Sequence, residues 1–499
     1  MMVEEPAEDA AVLQETTVTE DKEIMIIRVL TLNIWGIPFV SKDREARISA
    51  ICQQICSASE PFNFLFLQEV WSSQDYTTIA AKLKEVLPHS HFFYSGVVGA
   101  GLCIFSKSPL TSIHFHPWSV NGLPHKVYHG DWWGGKGVGF CRTQVNGINF
   151  ILATTHLHAV YHHLQDEYLH HRVVQAYETS QVLDWCSSAD SVVILGGDLN
   201  CEPHEVPYRL LRDNAQLRDA FFDAPNKPVD GIGATNETPG NILSYICIYY
   251  SLLTWVKAHI GIMGNERADA VAKLGHHLDH SALFPLPCSD ALAGLRFSDH
   301  EAVRAVFSLT RKHDTDLDDE TLSSNGPSPH RFLAPATECN GGLTDKHKNA
   351  ANNNSGAQLK SQLNAMSKLT LTLHQQTDTL LDAAAICAQG KRSMDSSWNF
   401  YAFLSLALTL VNLILIGLIC PQGTVQTGTS FFLMMVLLAT VLVTFYSVWM
   451  VVVWNKMERN AVLATQLGLE CLLEDMRKKN AIQFQKISVP DLRRSGNDK

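Results

Sequence analysis

The 499-residue sequence has few basic residues and no run of them long enough to contact several phosphates in a row. Its 39 Lys and Arg are outnumbered by 50 Asp and Glu, which gives a formal net charge of −11. Proteins that bind nucleic acid neutralise many phosphates with Lys and Arg. The charge balance therefore argues against DNA or RNA as the main substrate, and we expect no nucleic acid partner.

The cysteines lack the spacing of a zinc site or a disulfide framework. The 12 cysteines are scattered along the chain without a CxxC pair, so we predict reduced thiols and a cytosol-facing protein. The N-terminus also lacks the basic start and apolar core of a signal peptide. Residues 1–23 are acidic instead, and we predict a disordered tail there.

Charge is absent from two long segments near the C-terminus, residues 401–420 and 431–454. At about 1.5 Å per residue, each segment can cross the roughly 30 Å hydrocarbon core of a bilayer. Two buried core helices are the alternative, but soluble helices rarely stay apolar on every face over this length. We therefore predict a transmembrane hairpin with residues 421–430 as its uncharged turn.

Basic residues flank this hairpin at both of its open ends. Lys391 and Arg392 precede the first span, and Lys456 and Arg459 follow the second. Because Lys and Arg concentrate on the cytosolic side of membrane spans, we predict a multi-pass membrane protein with cytosolic N- and C-termini. The organelle stays open among the endoplasmic reticulum, the Golgi and the plasma membrane.

Composition and periodicity divide the rest of the chain into segments. We predict a catalytic domain over residues 24–309, a flexible linker over 310–357, an amphipathic helix over 358–392, and a cytosolic helix and tail over 456–499. The helices on the two sides of the hairpin could pack together or lie on the cytosolic leaflet. The sequence leaves both arrangements open.

Short apolar runs in residues 24–309 repeatedly lead into a polar residue able to bind metal or phosphate, and a helix is predicted over residues 160–186 between them. Strands and helices that alternate in this way, with polar residues at strand ends, indicate an α/β sandwich with its site along one rim. The polar residues in question are Asn33, Glu69, His156, Asp198, Asn200, Asp299 and His300.

These side chains match the needs of Mg²⁺-dependent cleavage of a phosphodiester. Mg²⁺ prefers oxygen ligands and keeps several waters, so one carboxylate plus substrate phosphate oxygens is a usual set. Glu69 is the first choice for that carboxylate. Asp198 and His300 are candidates to orient and deprotonate the attacking water, and the sequence does not decide between them. Asn200 and His156 would hydrogen-bond the phosphate oxygens.

Two other kinds of site fit parts of the sequence less well. Gly130, Gly135 and Lys136 nearly fit a nucleotide-binding P-loop, but Gly137 stands where Ser or Thr should hold Mg²⁺ and no clear helix follows. A glycine-rich hairpin is the structural alternative. The nearby histidines lack the spacing of zinc ligands, so we interpret them as surface residues: His156, His158, His162, His163, His170 and His171.

The order of the motifs resembles one enzyme family. The segments that carry the resemblance are LNIWGIPFVSKDREARI, LQEVWSSQDY, SGVVGAGLCIFSK, HGDWWGGKGVGF, THLHA, HRVVQAYE, GGDLN and SDHEA. They resemble the Mg²⁺-dependent neutral sphingomyelinases of the DNase I-like endonuclease/exonuclease/phosphatase superfamily. The paired C-terminal spans are similar to those of the neutral sphingomyelinase 1, or sphingomyelin phosphodiesterase 2, branch.

The resemblance implies a DNase I-like four-layer α/β/β/α sandwich and hydrolysis of sphingomyelin to ceramide and phosphocholine. It also implies that Glu69 binds Mg²⁺, that Asn200 contributes to substrate recognition, that His300 is the catalytic acid or base, and that Asp131 and Lys136 lie near the phosphate. A lysophospholipase C-type activity on lyso-platelet-activating factor stays open as an alternative. We group the candidates as catalytic His300, Asp198, His156 and Asp299, substrate-binding Asn200, Asn33, Asp131 and Lys136, and metal-binding Glu69.

Residues 242–277 interrupt the resemblance. The segment WVKAHIGIMGNERADA resembles the end of a retrotransposon ribonuclease H domain, but only a fragment of such a domain is present. It stands where the family pattern has a strand of the form R-I-D-Y-[VI]-L, whose Asp pairs with the histidine of SDH. Removal of such an Asp lowers kcat roughly 10⁴-fold in serine proteases. We therefore hypothesise that residues 242–277 come from a mobile element, through a gene-model error or a genuine insertion. We also expect that a core strand is missing and that the chain is catalytically impaired or misfolded.

Overall fold

A computed structural model describes residues 24–162, 165–188, 191–220, 252–257, 277–284, 302–310, 348–419 and 427–488. The strands are β1 (Ile24–Asn33), β2 (Phe64–Gln68), β3 (His89–Phe92), β4 (Cys103–Ser106), β5 (Leu110–Pro117), β6 (Gly137–Val145), β7 (Ile148–His156), β8 (Ser191–Asp198), β9 (Arg218–Asp219), β10 (Leu252–Lys257), β11 (His277–Phe284) and β12 (Ala302–Thr310). The helices are α1 (Arg44–Cys56), α2 (Ser73–Leu83), α3 (Leu169–Cys186), α4 (Val206–Arg209), α5 (Lys348–Ile419), α6 (Thr427–Trp449) and α7 (Asn455–Ser488).

Two six-stranded sheets form the centre of the catalytic region. The first has the order β11-β12-β1-β2-β4-β3, and the second has the order β5-β6-β7-β8-β10-β9. Each sheet contains one parallel pair, β1 with β2 and β7 with β8, between antiparallel neighbours. In each pair the carboxyl ends of both strands therefore reach the same edge of the sheet.

Three apolar cores show how the layers are stacked. Phe64, Phe150 and Ile194 belong to a core that both sheets share. A second core joins the first sheet to α1 and α2, and a third joins the second sheet to α3. The order helix, sheet, sheet, helix confirms the predicted four-layer α/β/β/α sandwich.

A glycine lets the two sheets approach closely beneath their polar edge. A Cβ atom on Gly196 of β8 would lie 2.5 Å from Cδ2 of Phe66 on β2, closer than two carbon atoms can pack. Phe66 is fully buried at this crossing. The glycines of GGDLN therefore allow β2 to pack against β8, which brings the ends of these two strands together.

Helix α3 is shorter than the sequence indicates. It begins at Leu169 instead of residue 160, so the predicted start was wrong. The backbone N–H of Tyr168 donates to Oδ1 of Asp166 at 3.1 Å, which favours a turn before the helix. Tyr161 is drawn into a buried polar cluster with Asp131, so the chain after β7 cannot enter the helix directly.

The C-terminal helices include two that are long and apolar enough to cross a membrane, within Leu371–Ile419 and Phe431–Lys478. Beyond the uncharged segments 401–420 and 431–454, α5 and α7 pack on each other and on α3 through Leu380, Cys387, Val462 and Leu469. Of the two arrangements left open by the sequence, the structure thus favours packing. Helix α5 starts at Lys348, inside the segment interpreted as a linker, and the other domain boundaries stay predictions.

Strand β10 comes from the segment that resembles a ribonuclease H fragment. It pairs antiparallel with β8, with Leu252 opposite Asp198 and Lys257 opposite Val193. The expectation that a core strand would be missing was therefore wrong, because the apolar and β-branched run LLTWVK suits a buried strand. This strand carries no carboxylate. Residues 242–251 and 258–276 of the segment lie outside the described residues.

Candidate active site

Strand periodicity explains why polar side chains of both sheets meet. Alternate residues of a strand point to the same face. In β1 and β2, residues 27, 29, 64 and 66 lie in the core between the sheets, so Asn33 and Gln68 face the same way at the ends of those strands. In β7 and β8, residues 150, 152, 192 and 194 lie in the same core, and the same spacing places His156 and Asp198 on the facing edge.

Asn33 joins two carboxylates that belong to different sheets. Its Nδ2 donates to Oε1 of Glu69 at 2.8 Å and to Oδ2 of Asp198 at 2.9 Å. The backbone N–H of Trp35 donates to Oδ1 of Asn33 at 2.9 Å, which fixes the orientation of the amide. We call Glu69 and Asp198 the carboxylate pair. All these side chains are buried.

Glu69 is held in a conformation that few residues adopt. Its φ is 59°, in the left-handed region that is uncommon for residues other than glycine. The carbonyl of Glu69 accepts a hydrogen bond from Gly36 N at 3.1 Å, and the next residue, Val70, donates to Gly101 O at 3.0 Å. Such conformations persist where neighbouring contacts enforce them, and they cluster at functional sites.

His156 and Asn200 surround Asp198 on its other sides. Nε2 of His156 lies 3.7 Å from Oδ2 of Asp198. The backbone N–H of Asn200 donates to Oδ1 of Asp198 at 3.0 Å, and Nδ2 of Asn200 donates to Leu157 O at 2.9 Å. Asn200 also has a left-handed backbone, with φ 44°. The four predicted residues Asn33, His156, Asp198 and Asn200 thus lie at one edge together with Glu69.

Asp131 and Lys136 form a second polar cluster that connects to the first. They make a buried ion pair, and Lys136 Nζ also donates to Leu157 O at 3.1 Å, the carbonyl that Asn200 contacts. Tyr161 donates its hydroxyl proton to Oδ2 of Asp131 at 2.6 Å. Burial opposes ionisation of Asp131, but Lys136, His158 and the hydrogen bond from Tyr161 together outweigh it and hold the pKa of Asp131 far below its usual range.

The histidines of this region are largely buried, so their interpretation as surface residues was wrong for His156, His158, His170 and His171. The His158 ring stacks on Tyr168 with centroids 3.9 Å apart, and its Nδ1 donates to Ala159 O at 2.8 Å. Burial lowers the pKa of His158 to about 3 despite the neighbouring Asp131 carboxylate. His158 is therefore neutral near pH 7.

The donor chemistry at the sheet edge fits a hard divalent cation. Two carboxylates lie within hydrogen-bonding distance of one amide nitrogen, and such a buried pair gains stability from a cation between or beside them. Mg²⁺ needs only one or two carboxylates because it keeps several waters. The oxygen atoms of Glu69 and Asp198 therefore fit this ion.

A different group of side chains lies elsewhere with a spacing that could hold a metal. In the described part of the chain, the potential ligand atoms of His170, His171 and Glu458 lie within 4.8 Å of one another. Metal-bound histidines usually donate their second ring N–H to an acceptor. Nδ1 of His171 instead accepts a hydrogen bond from Gly122 N at 3.2 Å, so this group fits a hydrogen-bonded cluster better than a metal site.

Two predicted catalytic residues, Asp299 and His300, lie outside the described residues. The P-loop alternative does not fit, because Gly130–Trp132 forms a 3₁₀ turn and Lys136 leads into strand β6 instead of a helix. Gln68 was not among the predicted site residues, although its Nε2 donates to Thr31 Oγ1 at 3.2 Å and Thr154 Oγ1 at 3.3 Å. It ends the same apolar run that leads into Glu69, and that position was the available signal.

Comparison with known proteins yields close matches. The sequence pattern of the endonuclease/exonuclease/phosphatase family matches residues 30–300. A Drosophila melanogaster protein named as a neutral sphingomyelinase is 32% identical over 464 residues, which is 91% of this chain and 98% of that protein. Sphingomyelin phosphodiesterase 2 of Rattus norvegicus is 36% identical over 313 residues, which is 62% of this chain and 70% of that protein.

Solved structures give a more distant likeness. A crystal structure of a Staphylococcus aureus beta toxin mutant with bound magnesium ions covers 58% of this chain and 100% of that chain, at 16% identity and a TM-score of 0.43.

Proposed function

Because this chain belongs to the endonuclease/exonuclease/phosphatase family, in its neutral sphingomyelinase branch, we propose that it is a Mg²⁺-dependent phosphodiesterase that hydrolyses sphingomyelin to ceramide and phosphocholine. The observation that carries the proposal is the amide of Asn33, which holds Glu69 and Asp198 at one buried edge. Metal-assisted hydrolysis of a phosphodiester uses a cation beside the phosphate and a group that orients water, and this edge supplies residues for both.

Each residue of the site has a proposed task. Glu69 would hold Mg²⁺, with Asp198 beside it, and the bound ion would neutralise charge on the phosphate. Asp198 can accept a proton from water or orient the water as a hydrogen-bond acceptor. Asn33 keeps the two carboxylates in place.

The substrate contacts are proposed for the donors that surround the carboxylate pair. Asn200 and His156 lie against Asp198, where an amide and an imidazole N–H can donate to phosphate oxygens. Lys136 reaches the same carbonyl as Asn200, so its charge lies close to this edge. Asp299 and His300 are proposed as further catalytic groups, with His300 as acid or base, on the resemblance of SDHEA alone.

We also propose that the two apolar helices fix the enzyme in a membrane with its catalytic region in the cytosol. Basic residues at both open ends of the hairpin support this orientation. Sphingomyelin is then supplied by the same bilayer.

The proposal is tested with the full-length protein reconstituted in liposomes that contain choline-labelled sphingomyelin. We expect release of phosphocholine that requires Mg²⁺, stops with a chelator, and falls at least about 100-fold in Glu69→Gln. Glu60→Gln is the matched control, because Glu60 is exposed and pairs with Arg28 and Arg304. Faster hydrolysis of lyso-platelet-activating factor than of sphingomyelin would identify the alternative substrate, and Mg²⁺-independent release would contradict the proposal.

A further inference from the structure

Three loops lie at the same edge of the sandwich as the candidate site, and we call them the rim loops: residues 34–43, 93–102 and 118–136. The first follows the carboxyl end of β1. In the first sheet, Phe92 and Leu67 are both opposite Cys103, so the turn from β3 to β4 reaches the edge where β2 ends. In the second sheet, Val138 is opposite Thr155 and Pro117 is opposite Gly137, which places residues 118–136 at the edge where β7 ends.

Each rim loop carries large apolar side chains that are exposed to solvent. Phe39 is 108% exposed, Val97 is 85% exposed and Tyr128 is 76% exposed. They have apolar or aromatic neighbours that are also exposed, namely Val40, Tyr94, Val98, Val127 and Trp133. Scattered apolar residues are normal on a protein surface, but a concentration around a polar site marks an interaction surface.

The rim loops are hydrogen-bonded to one another and so form one surface. Glu69 and Val70 link the first two loops through their bonds with Gly36 and Gly101. The second and third loops are linked because Gly96 pairs with Gly134 and Gly135 N donates to Gly99 O at 2.9 Å. The carboxylate pair therefore lies at the foot of a continuous, partly apolar rim.

The rim also reaches the points where the apolar helices begin and end. Trp132 packs edge-on against Trp454 with ring centroids 6.4 Å apart, and the ring centroids of His125 and Tyr401 are 6.1 Å apart. Tyr401 starts the first predicted span and Trp454 ends the second. Aromatic residues at such positions lie at the level of the lipid headgroups. The third rim loop is therefore held at the height of the bilayer surface.

We propose that the apolar tips of the rim loops insert into the cytosolic leaflet of the bilayer and seat the site over a lipid headgroup. The proposal rests on the proposed function, since it names the surface through which a substrate that stays in the membrane reaches Glu69. Its occupant is the lipid bilayer, because the rim is continuous with the membrane spans. A partner protein or a second copy of the chain on this surface would be a different outcome.

The first test compares a substrate in a bilayer with a soluble one. The triple variant Phe39→Ser, Val97→Ser and Tyr128→Ser is reconstituted with sphingomyelin liposomes and is also assayed on p-nitrophenylphosphorylcholine in solution. We expect the ratio of the two rates to fall at least about tenfold, because three large apolar groups no longer gain from leaving water. An unchanged ratio would overturn the proposal.

Trp185→Ser is the matched control. Trp185 is 81% exposed, but it lies in the last turn of α3, which runs from the site edge toward the start of β8 at the opposite edge. We expect Trp185→Ser to keep the wild-type ratio. If wild type cleaves neither substrate, the proposed function fails, and that result is separate from a change in the ratio.

The second test does not depend on activity. Phe39, Tyr128 or Trp185 is replaced by the photoreactive p-benzoylphenylalanine in the full-length protein, and the liposomes are irradiated. Crosslinks to lipid at positions 39 and 128, with far fewer at position 185, are the expected result. Crosslinks to protein alone, or equal lipid labelling at all three positions, would contradict docking of the rim onto the bilayer.

Discussion

His171 and Glu458 are joined by a buried hydrogen bond between Nε2 and Oε1, 2.8 Å long, although 287 residues separate them in the chain. The other ring nitrogen of His171 accepts from the backbone N–H of Gly122 at 3.2 Å. A backbone N–H can only donate, so the single proton of the neutral ring is on Nε2 and points to Glu458. The helix that follows the second apolar segment is thereby connected to the loop that carries Asp131.

Removal of the acceptor should weaken the fold. In Glu458→Leu the buried Nε2–H of His171 loses its partner, and we expect the free energy of unfolding to fall by about 1–3 kcal/mol. Glu458→Gln keeps a side-chain oxygen and should lose less. Thermal unfolding in nanodiscs measures both. Glu474→Gln on the exposed face of the same helix is the control, and equal losses in all three variants would contradict this account.

Acidification should destabilise the protein in two overlapping ranges. Burial opposes ionisation of Glu458, but its buried contacts with His170 and His171 outweigh it and lower the pKa from 4.5 to about 2. Since the folded state holds this proton less tightly, the contribution of Glu458 is complete above pH 4.5 and is lost as the pH falls toward 2. It amounts to about 3 kcal/mol. His158 acts in the same direction, because burial lowers its pKa from 6.5 to about 3. Its contribution to stability is complete above pH 6.5 and is lost as the pH falls toward 3.

Denaturant titrations between pH 7 and pH 3 in wild type and Glu458→Gln check this prediction. The variant should lose the part of the pH dependence that Glu458 adds below about pH 4.5, and it should keep the part due to His158, which begins near pH 6.5 and continues toward pH 3. A wild-type profile that is flat over this range would contradict it.

The sandwich and the edge of the site were predictable because the apolar character of a buried strand is a local property of the sequence. Asn33, His156 and Asp198 end apolar runs that can be read directly as strands, and the structure places these residues together. The roles assigned to these residues stay predictions. The partners of the buried histidines could not be predicted, because the contact of His171 with Glu458 depends on how α7 packs on α3.

The contact that Lys136 and Asn200 share with one backbone carbonyl also could not be predicted from the sequence. It depends on where the main chain places the carbonyl of Leu157. Every residue has a backbone carbonyl, so the sequence does not show which one accepts these hydrogen bonds. The strand supplied by residues 252–257 was missed for another reason. Family patterns show which residues a strand usually has, whereas the sheet accepts any apolar run of suitable length.

A polar contact links the two apolar helices. Asn412 donates from Nδ2 to Thr444 Oγ1 at 2.9 Å and accepts from Thr440 Oγ1 at 2.6 Å. We expect Asn412→Leu to weaken association of the helices by about 0.5–2 kcal/mol. Fluorescence energy transfer between labels at the two helix ends measures the loss in liposomes. Thr409→Val is the control, because the Thr409 hydroxyl bonds within its own helix, and equal effects would contradict the prediction.

Residues 242–277 should limit catalysis even though β10 fills the sheet. The described strand has no carboxylate to pair with a catalytic histidine. Replacement of the segment by one with a strand of the form R-I-D-Y-V-L should raise kcat, by up to about 10⁴-fold if the Asp orients His300. The same chimera with Asn for that Asp is the control. Equal kcat in the chimera and the natural chain would contradict the prediction, and transcript sequencing across the segment shows whether it is expressed.

We expect the carboxylate pair joined by Asn33 to hold one divalent ion, and direct measurement of metal binding tests this. Mn²⁺ serves as a spin-active substitute for Mg²⁺ and is titrated into the full-length protein while electron paramagnetic resonance follows the free ion. We expect one site that Mg²⁺ competes for, weakened at least about 100-fold in Glu69→Gln and unaffected in Glu458→Gln, which alters the other cluster of potential ligands. Unchanged binding in Glu69→Gln, or loss of binding in Glu458→Gln alone, would contradict the account.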